Sequence, residues 1–582
     1  MQPLSREGLP LAGAFLLALA SIASAHGQDD GTRINMGDSE LSPPTVDSSP
    51  TPAESSTYFH YSDHSRMMVG HIILMAIGWV FILPIGVMLS ICGSRYCFPV
   101  RFLFLATNAV GVLLATIYNA STPNLYPNNA HHKLGWILTW VASTQPLMGI
   151  IGAHAHAGRK GNSKGHGGRE TCIPISVEAM AAHQPLNSLR FEQSCRFSND
   201  SGQGTELNTE SLRSQSISST RSNNPPLAEM RHELEDVNLE ETAGLLGGSR
   251  LEQVLSKRIS RLLSAKVQKL FQFFYNSIDR SILMLGWVSI LTGVITYGGF
   301  FIGTGVFSGL AHFIKGSVFF WFGIMSLGRW AGCWASIGWA WNVNTSVRNR
   351  PSAEFVESFM IFIYGVTNVS LEHLAAWGSA WTTQDLEHLS ITFLFIGGGL
   401  CGMLVESRRV RDLLNVTSSS KDQKQLGEKG PKSYGFSTNP LPGLVTLLVG
   451  VIMSSHHQDS MVSTMIHKQW GNMLVGGAFA RGATYVIFYL KPPTSALPGR
   501  PPTEIITAFC LMAGGFIFMV SARDTVTAIE ANGLDAIFVF AISTGLITFL
   551  MAWIVFVIAV KGWAVKKEPK STSSYHFFMP AA

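Results

Sequence analysis

Residues 536–560 read AIFVFAISTGLITFLMAWIVFVIAV, an apolar run of 25 residues that contains no charged side chain. An α-helix needs about 20 apolar residues to cross the hydrocarbon core of a bilayer, so this run predicts a transmembrane helix. Further apolar runs alternate with strongly polar stretches along the chain of 582 residues. The sequence therefore predicts an all-α fold, a polytopic bundle of transmembrane helices.

Outward from residues 536–560, eleven candidate spans can be counted. They cover residues 67–92, 102–118, 134–154, 281–303, 308–327, 355–371, 389–404, 441–455, 470–490, 505–521 and 536–560. A long polar stretch separates the first three spans from the last eight. We therefore expect eleven spans in a 3 + 8 arrangement.

The first 25 residues have the features of a secretory signal peptide. Arg6 precedes the apolar segment 9–22, and residues 23–25 (Ala-Ser-Ala) offer a small-x-small cleavage site. An anchor helix that is not cleaved is the alternative. Residues 26–58 are rich in Ser, Pro, Asp and Thr, which predicts a disordered extracytosolic segment.

The distribution of Lys and Arg orients the spans, because cytosolic loops of membrane proteins carry an excess of these residues. Arg95 and Arg101 follow the first span, whereas loop 119–132 has no Lys or Arg and contains the N-glycosylation triplet 119–121 (Asn-Ala-Ser). We expect an integral membrane protein of the secretory pathway or plasma membrane. Its N-terminus should be extracytosolic, and its linker 158–280 and C-terminus cytosolic.

Composition divides the chain into seven expected segments. They are a signal peptide at 1–25, a disordered extracytosolic segment at 26–58, a three-span module at 59–157, a disordered cytosolic linker at 158–250, an amphipathic interfacial helix at 251–280, an eight-span module at 281–565 and a cytosolic tail at 566–582.

Residues 251–274 combine apolar side chains at helical spacing with five Lys and Arg residues. This pattern is typical of a helix that lies on the anionic cytosolic leaflet of the membrane. A soluble amphipathic helix packed on its neighbours is the alternative. The lipid bilayer is thus the expected partner. Because the basic clusters follow the predicted topology, they do not indicate nucleic acid, and the sequence indicates no particular protein partner.

Two histidines of the three-span module are candidates for binding a cofactor. His71 lies one helical turn into the first span, and His131 lies just before the third. Antiparallel packing would bring both to the same depth, where two imidazoles could ligate a haem iron axially or bind another transition metal. The alternative is a pair of interfacial histidines that hydrogen-bond to water.

The residues around these histidines resemble the cytochrome b561 family. The resemblance rests on residues 71–79 (HIILMAIGW) and 84–86 (PIG), and on residues 130–135 (AHHKLG). It implies a b-type haem between His71 and His131. That family has a second histidine pair for a second haem, whereas this chain has Asn108 in the second span and Asp279 before the fourth. The resemblance therefore implies one haem on the lumenal side, without electron transfer across the whole bilayer.

Histidines and carboxylates of the eight-span module recur near the same predicted boundary. Imidazole together with carboxylate suits zinc, iron, copper or manganese, so we expect a metal site there. Helix-capping residues that meet water, or a proton relay, are the alternatives. The candidate ligands are His312, Glu372, His373, Glu387, His388, His456, His457, Asp459 and His467.

Arg481 lies near the middle of a predicted span, where a charge costs several kcal/mol unless it is paired. Glu357 lies in the same predicted half of the bilayer. We therefore predict that these two residues form an ion pair.

Several short segments of this module resemble the fungal YTP-like family of integral membrane proteins. They are residues 309–316 (GLAHFIKG), 338–342 (GWAWN), 385–388 (DLEH), 456–459 (HHQD) and 467–472 (HKQWGN). This resemblance implies a multi-pass membrane protein without naming a reaction. Three functions stay open: a haem b redox protein with a lumenal or extracellular site, a metal-handling transporter or metalloprotein, and a non-catalytic scaffold. No catalytic residue is predicted, and whether the chain is an enzyme stays open.

Overall fold

The computed structural model of the chain describes residues 57–165, 265–303, 305–342, 351–371, 380–414, 437–456, 458, 460–492, 495 and 497–568. Contacts divide the chain into one unit of residues 1–149 with 270–582 and a second of residues 150–269. Every site discussed below lies in the first unit. The described residues form helices, turns and coil without a strand, which confirms the all-α prediction.

Thirteen helices are numbered here in chain order. They are α1 Ser65–Ile91, α2 Cys97–Ser121, α3 Ala130–Gly165, α4 Ala265–Gly298, α5 Gly305–Trp330, α6 Ala353–Leu371, α7 Thr383–Glu406, α8 Arg408–Leu414, α9 Leu441–Ser454, α10 Met461–Leu490, α11 Pro502–Val520, α12 Arg523–Ala531 and α13 Ala536–Lys567.

Eight of the described helices are long and apolar enough to cross a membrane: α1, α2, α4, α5, α7, α10, α11 and α13. The shorter α9 is also apolar. This confirms a polytopic bundle of transmembrane helices, whereas the count of eleven spans stays a prediction.

Consecutive long helices run antiparallel. Asn368 near the end of α6 hydrogen-bonds Thr392 near the start of α7, and Ser352 before α6 hydrogen-bonds Glu406 at the end of α7. One end of the bundle, at which α1, α3, α5, α7, α10 and α13 begin, carries the described candidate histidines. It is called the histidine end below.

The fourth span begins earlier than its apolar run predicts. The membrane-length part of α4 is Lys269–Gly298, and Tyr275 and Asp279 are both buried. The later part of the predicted interfacial helix 251–280 therefore belongs to a span that packs in the bundle. Residues 251–264 lie outside the described part of the chain, as do the predicted signal peptide, the segment 26–56 and the residues after 568.

A π-helical segment of α1 forms a hydrogen bond with α13, the last helix of the other module. Pro84 has no N–H, so it cannot hydrogen-bond the carbonyl of Val80 four residues earlier. The helix widens into a π-helix over Ala76–Ile82 just before this point. Trp553 of α13 donates its indole N–H to the Val80 oxygen at 2.9 Å. The last span therefore satisfies a carbonyl that the first span leaves open.

Glycines allow two pairs of helices to approach closely. A Cβ atom on Gly316 of α5 would lie 2.5 Å from the carbonyl oxygen of Gly515 of α11, and one on Gly515 would lie 2.5 Å from that of Gly316. Gly450 of α9 and Gly471 of α10 face each other in the same way, at 2.7 Å. Small residues are typical of such backbone contacts between membrane helices.

Candidate functional site

The first histidine pair is formed by one residue of α1 and one of α3, which lie near each other at the histidine end. The ring centres of His71 and His131 lie 6.2 Å apart, with 71° between the ring planes. Both side chains are half-buried. On α4, Gly293 packs against the His131 ring, since a Cβ atom there would lie 3.0 Å from its Cε1. The structure thus brings together the two residues that the sequence singled out.

Backbone carbonyls fix the proton of each imidazole. His71 Nδ1 lies 2.9 Å from the Gly111 oxygen of α2, and His131 Nδ1 lies 3.1 Å from the Ser289 oxygen of α4. A carbonyl oxygen only accepts, so each Nδ1 carries the proton and each Nε2 keeps a lone pair. Metal-binding histidines are commonly held by this type of contact, which orients the ring and raises its basicity.

The spacing of the two rings suits one metal atom between them. Metal–nitrogen bonds of about 2.0 Å and imidazole radii of about 1.1 Å give a span of roughly 6 Å between ring centres. A direct hydrogen bond of about 2.9 Å between the rings would bring the centres to about 5 Å. The distance between the ring centres is therefore compatible with one metal between them when both Nε2 atoms face it.

Polar side chains occupy the positions at which the resemblance to cytochrome b561 would place a second histidine pair. Arg101 of α2 forms a buried salt bridge with Asp279 of α4 and also hydrogen-bonds Gln145 of α3. Closer to the histidine end, Asn108 accepts a hydrogen bond from Trp79 Nε1 at 3.0 Å. In the described part of the three-span module, these positions thus hold polar side chains that link neighbouring helices by hydrogen bonds and a salt bridge.

The described histidines of the eight-span module lie as two pairs. The ring centres of His312 on α5 and His467 on α10 are 6.3 Å apart, and those of His388 on α7 and His456 after α9 are 6.5 Å apart. Glu387 Oε2 lies 3.4 Å from His456 Nδ1.

The single many-ligand cluster expected from the sequence is not found among the described residues. No group of three or more His, Cys, Asp and Glu side chains there is arranged to hold a metal ion. A shared depth therefore does not by itself bring the described side chains to one centre. Four candidate ligands lie outside the described residues: Glu372, His373, His457 and Asp459.

A cavity adjoins the pair formed by His388 and His456. Its volume is about 240 Å³, and it opens between α7 and α9. Glu387 lines it together with apolar residues of both helices. A small hydrated cation could therefore reach these imidazoles from the histidine end.

At the opposite end, a buried charge network connects four helices. Arg481 of α10 bonds Glu357 of α6 at 3.1 Å and Glu504 of α11 at 2.9 Å, which agrees with the predicted pairing of Arg481 and Glu357. Arg329 of α5 bonds Glu354 at 2.7 Å. All five residues are at most 5% exposed. The sequence analysis missed three of them, although Glu354 and Glu357 are spaced to share one face of a helix.

Relatives of the chain are found in fungi. Residues 285–562 match the family model described as "Protein YTP1-like, C-terminal", and residues 53–155 match that of a domain of unknown function, DUF2427. An uncharacterized membrane protein of Schizosaccharomyces pombe is 34% identical over 523 residues, which are 87% of this chain and 96% of the relative.

The chain belongs to the YTP1-like family.

Two relatives in Saccharomyces cerevisiae extend this comparison. An uncharacterized membrane protein is 38% identical over 53% of this chain and 51% of its own length. Protein YTP1 is 24% identical over 52% of this chain and 57% of its own length. No solved structure matches.

The YTP1-like relatives bear on two of the expectations. Two of them are named membrane proteins, and together with the eight long apolar helices they confirm an integral, multi-pass membrane protein. The model that matches residues 53–155 is of a domain of unknown function, so the resemblance to cytochrome b561 stays a prediction.

Proposed function

We propose that this YTP1-like membrane protein binds one b-type haem between His71 and His131 and acts as a redox protein at the histidine end. The proposal rests on the geometry of this histidine pair. The ring centres are 6.2 Å apart, and each Nδ1 is engaged by a backbone carbonyl. This arrangement leaves two Nε2 lone pairs for one iron, as bis-histidine haem proteins require.

In this proposal, a bound haem would supply one-electron chemistry, and the chain would supply ligands and orientation. His71 and His131 would hold the haem iron through their imidazole nitrogens. The carbonyls of Gly111 and Ser289 would keep each imidazole in one tautomer and one rotamer. Gly293 would allow α4 to approach the His131 ring. Such support by surrounding groups tunes the properties of a bound metal.

The site would exchange electrons at one face of the membrane. Toward the opposite face, the positions suited to a second pair of ligands hold Arg101, Gln145 and Asp279. A single site near one end cannot carry electrons across about 30 Å of hydrocarbon. We therefore propose that donor and acceptor approach from the same side, which the distribution of Lys and Arg predicts to be extracytosolic.

Difference spectroscopy on the purified full-length protein tests this proposal. We expect a reduced-minus-oxidised spectrum of haem b in the unaltered chain. His71→Ala and His131→Ala should each abolish it, because each removes one axial ligand. His132→Ala is the matched control, since His132 is an exposed neighbour and should leave the spectrum unchanged.

Two results would reject haem binding. One is a folded, monodisperse protein without haem bands, even after expression with added haem. The other is a spectrum that survives in both His71→Ala and His131→Ala.

The cavity between α7 and α9 favours a second candidate function, the binding of a divalent cation for transport. Its volume of about 240 Å³ and the 3.4 Å contact between Glu387 and His456 support it. We expect zinc or manganese to bind the full chain, and His456→Ala or Glu387→Gln to weaken binding at least tenfold. Ser390→Ala, a change on the cavity wall, is the control. Equal affinity in all four proteins would exclude this site.

A further inference from the structure

The buried charge network opposite the histidine end contains more carboxyl groups than cations. Its five members are Arg329, Glu354, Glu357, Arg481 and Glu504, which are at most 5% exposed. A guanidinium group does not lose its proton inside a protein, so the two arginines supply two positive charges. The three glutamates would supply three negative charges if all of them were ionised. The ionised network would therefore carry one negative charge that no guanidinium balances.

The surroundings of the charge network supply no third cation. Within the described part of the chain, the ion pairs that these five residues form are all with one another. Tyr485 lies beside the network, and its phenol is uncharged at neutral pH. On α7, the titratable group at this end is Glu406, which accepts hydrogen bonds from Ser352 and Ser437 instead. Because an unbalanced charge is costly to bury, a carboxyl group in such a place binds a proton. One bound proton makes the network neutral.

The two guanidinium groups are fixed in place by further contacts. The Cζ atoms of Arg329 and Arg481 lie 3.6 and 4.9 Å from the centre of the buried Trp341 ring, whose face attracts cations. Arg481 also donates a hydrogen bond to Ser326 at 2.8 Å, and Arg329 donates one to the Trp339 carbonyl oxygen at 2.7 Å. The positive charges are therefore constant, and only the carboxyl groups can adjust the charge of the network.

Glu357 is the carboxyl group whose charge is compensated least. Its Oε2 accepts a hydrogen bond from Arg481 at 3.1 Å. Its Oε1 lies 3.9 Å from Arg329 Nη1, too far for a hydrogen bond, and has no hydrogen-bond partner among the described residues. By comparison, Glu354 accepts a hydrogen bond from Arg329 at 2.7 Å, and Glu504 lies 2.9 Å from Arg481. A proton on Glu357 Oε1 would leave both of these shorter ion pairs intact.

We propose that the charge network is a proton-binding site, in which Glu357 carries one exchangeable proton on Oε1. Glu354 and Glu504 lie in the first turns of α6 and α11, and Arg329 lies in the last turn of α5. Chain that leaves a helix is excluded from the lipid, so these helix ends adjoin an aqueous face. The proton therefore exchanges at the face opposite the histidine end. This inference does not rest on the binding of haem or metal.

Infrared spectroscopy of the full-length protein in detergent at neutral pH tests the proposal, because a protonated carboxyl group has a C=O band that a carboxylate lacks. We expect this band in the unaltered chain and its loss in Glu357→Gln, whose amide is similar in size to the neutral acid. Glu504→Gln should also remove the band, since two carboxylates and two guanidinium groups then balance without a proton. Glu406→Gln is the matched control, because Glu406 is half-buried and lies outside the network, and it should leave the band unchanged.

A count of released protons provides a second measurement. Unfolding in weakly buffered solution at neutral pH exposes Glu357 to water, where it ionises. The unaltered chain should therefore release one proton more per molecule than Glu357→Gln. A folded Glu357→Gln variant that keeps the band or releases as many protons as the unaltered chain would overturn the proposal.

Two other results would also overturn it. Survival of the band in folded Glu504→Gln would show that charge balance does not place the proton. An unaltered chain without the band would show that a cation outside the described residues, such as Arg348 or Arg350, balances the network. None of these readings depends on a haem spectrum or on metal content, so this proposal and the proposed function succeed or fail independently.

Discussion

Arg481→Met is expected to lower the free energy of unfolding by about 3–5 kcal/mol, the range found when one partner of a buried ion pair is removed. Arg481 is the cation between Glu357 and Glu504, at 3.1 and 2.9 Å, and both carboxylates are fully buried. Without Arg481, they would face each other in an apolar interior. Thermal unfolding in detergent and the yield of monodisperse protein measure the effect.

Arg409→Met is the matched control, because Arg409 is exposed on the short helix α8 and should change stability little. A second test exchanges the charges. We expect Arg481→Glu and Glu357→Arg to destabilise the protein singly and to recover part of the loss together. Recovery should be incomplete, since Arg481 also bonds Glu504 and Ser326. A double variant no more stable than the worse single variant would contradict the pairing.

Gly515→Ala is expected to cost about 1–3 kcal/mol, the usual range for overpacking a tight contact. The new methyl group would lie 2.5 Å from both the Gly316 oxygen and the Phe320 nitrogen of α5. These are backbone atoms, so no side chain can turn away, and α5 and α11 must separate. The midpoint of thermal unfolding should fall accordingly.

Gly545→Ala on α13 is the control, because a Cβ atom there meets nothing within 4 Å. In a helix without steric conflict, Ala is favoured over Gly by about 1 kcal/mol. The two substitutions should thus shift the unfolding midpoint in opposite directions. An unchanged or higher midpoint for Gly515→Ala would mean that the contact between α5 and α11 is looser than the glycines indicate.

Apolar runs were sufficient to predict the class of fold, because a bilayer imposes helix length and hydrophobicity on each span. Antiparallel alternation was also enough to bring His71 and His131 together, since the module has few helices to arrange. For the eight-span module, the same reasoning brought the described histidines to one end of the bundle, and the metal site stays a prediction, since four of its candidate ligands lie outside the described residues. The sequence predicts how deep a side chain lies along the bundle axis. Which helices are neighbours depends on packing, and the sequence pattern does not give it. Packing therefore divided the described histidines into pairs.

Charged residues were harder to interpret. Arg101 was counted as a sign of a cytosolic loop, although it is buried in an ion pair. Asp279 was noted only for not being a histidine, whereas it is the partner of Arg101. The positive-inside rule counts basic residues by number and cannot identify those that are neutralised within the bundle. Predicting such pairs requires knowing which helices are neighbours.

The contact between Val80 and Trp553 has a consequence for biosynthesis. These residues are 473 positions apart in the sequence, so this hydrogen bond can form only after nearly all of the protein has been translated. A second contact, between Ser94 and Glu568 at 3.0 Å, also depends on the last helix. The first span and the loop after it therefore gain these two contacts only once the last helix has been made. Nascent chains that stop before α13 should be recognised as unfinished by membrane quality control.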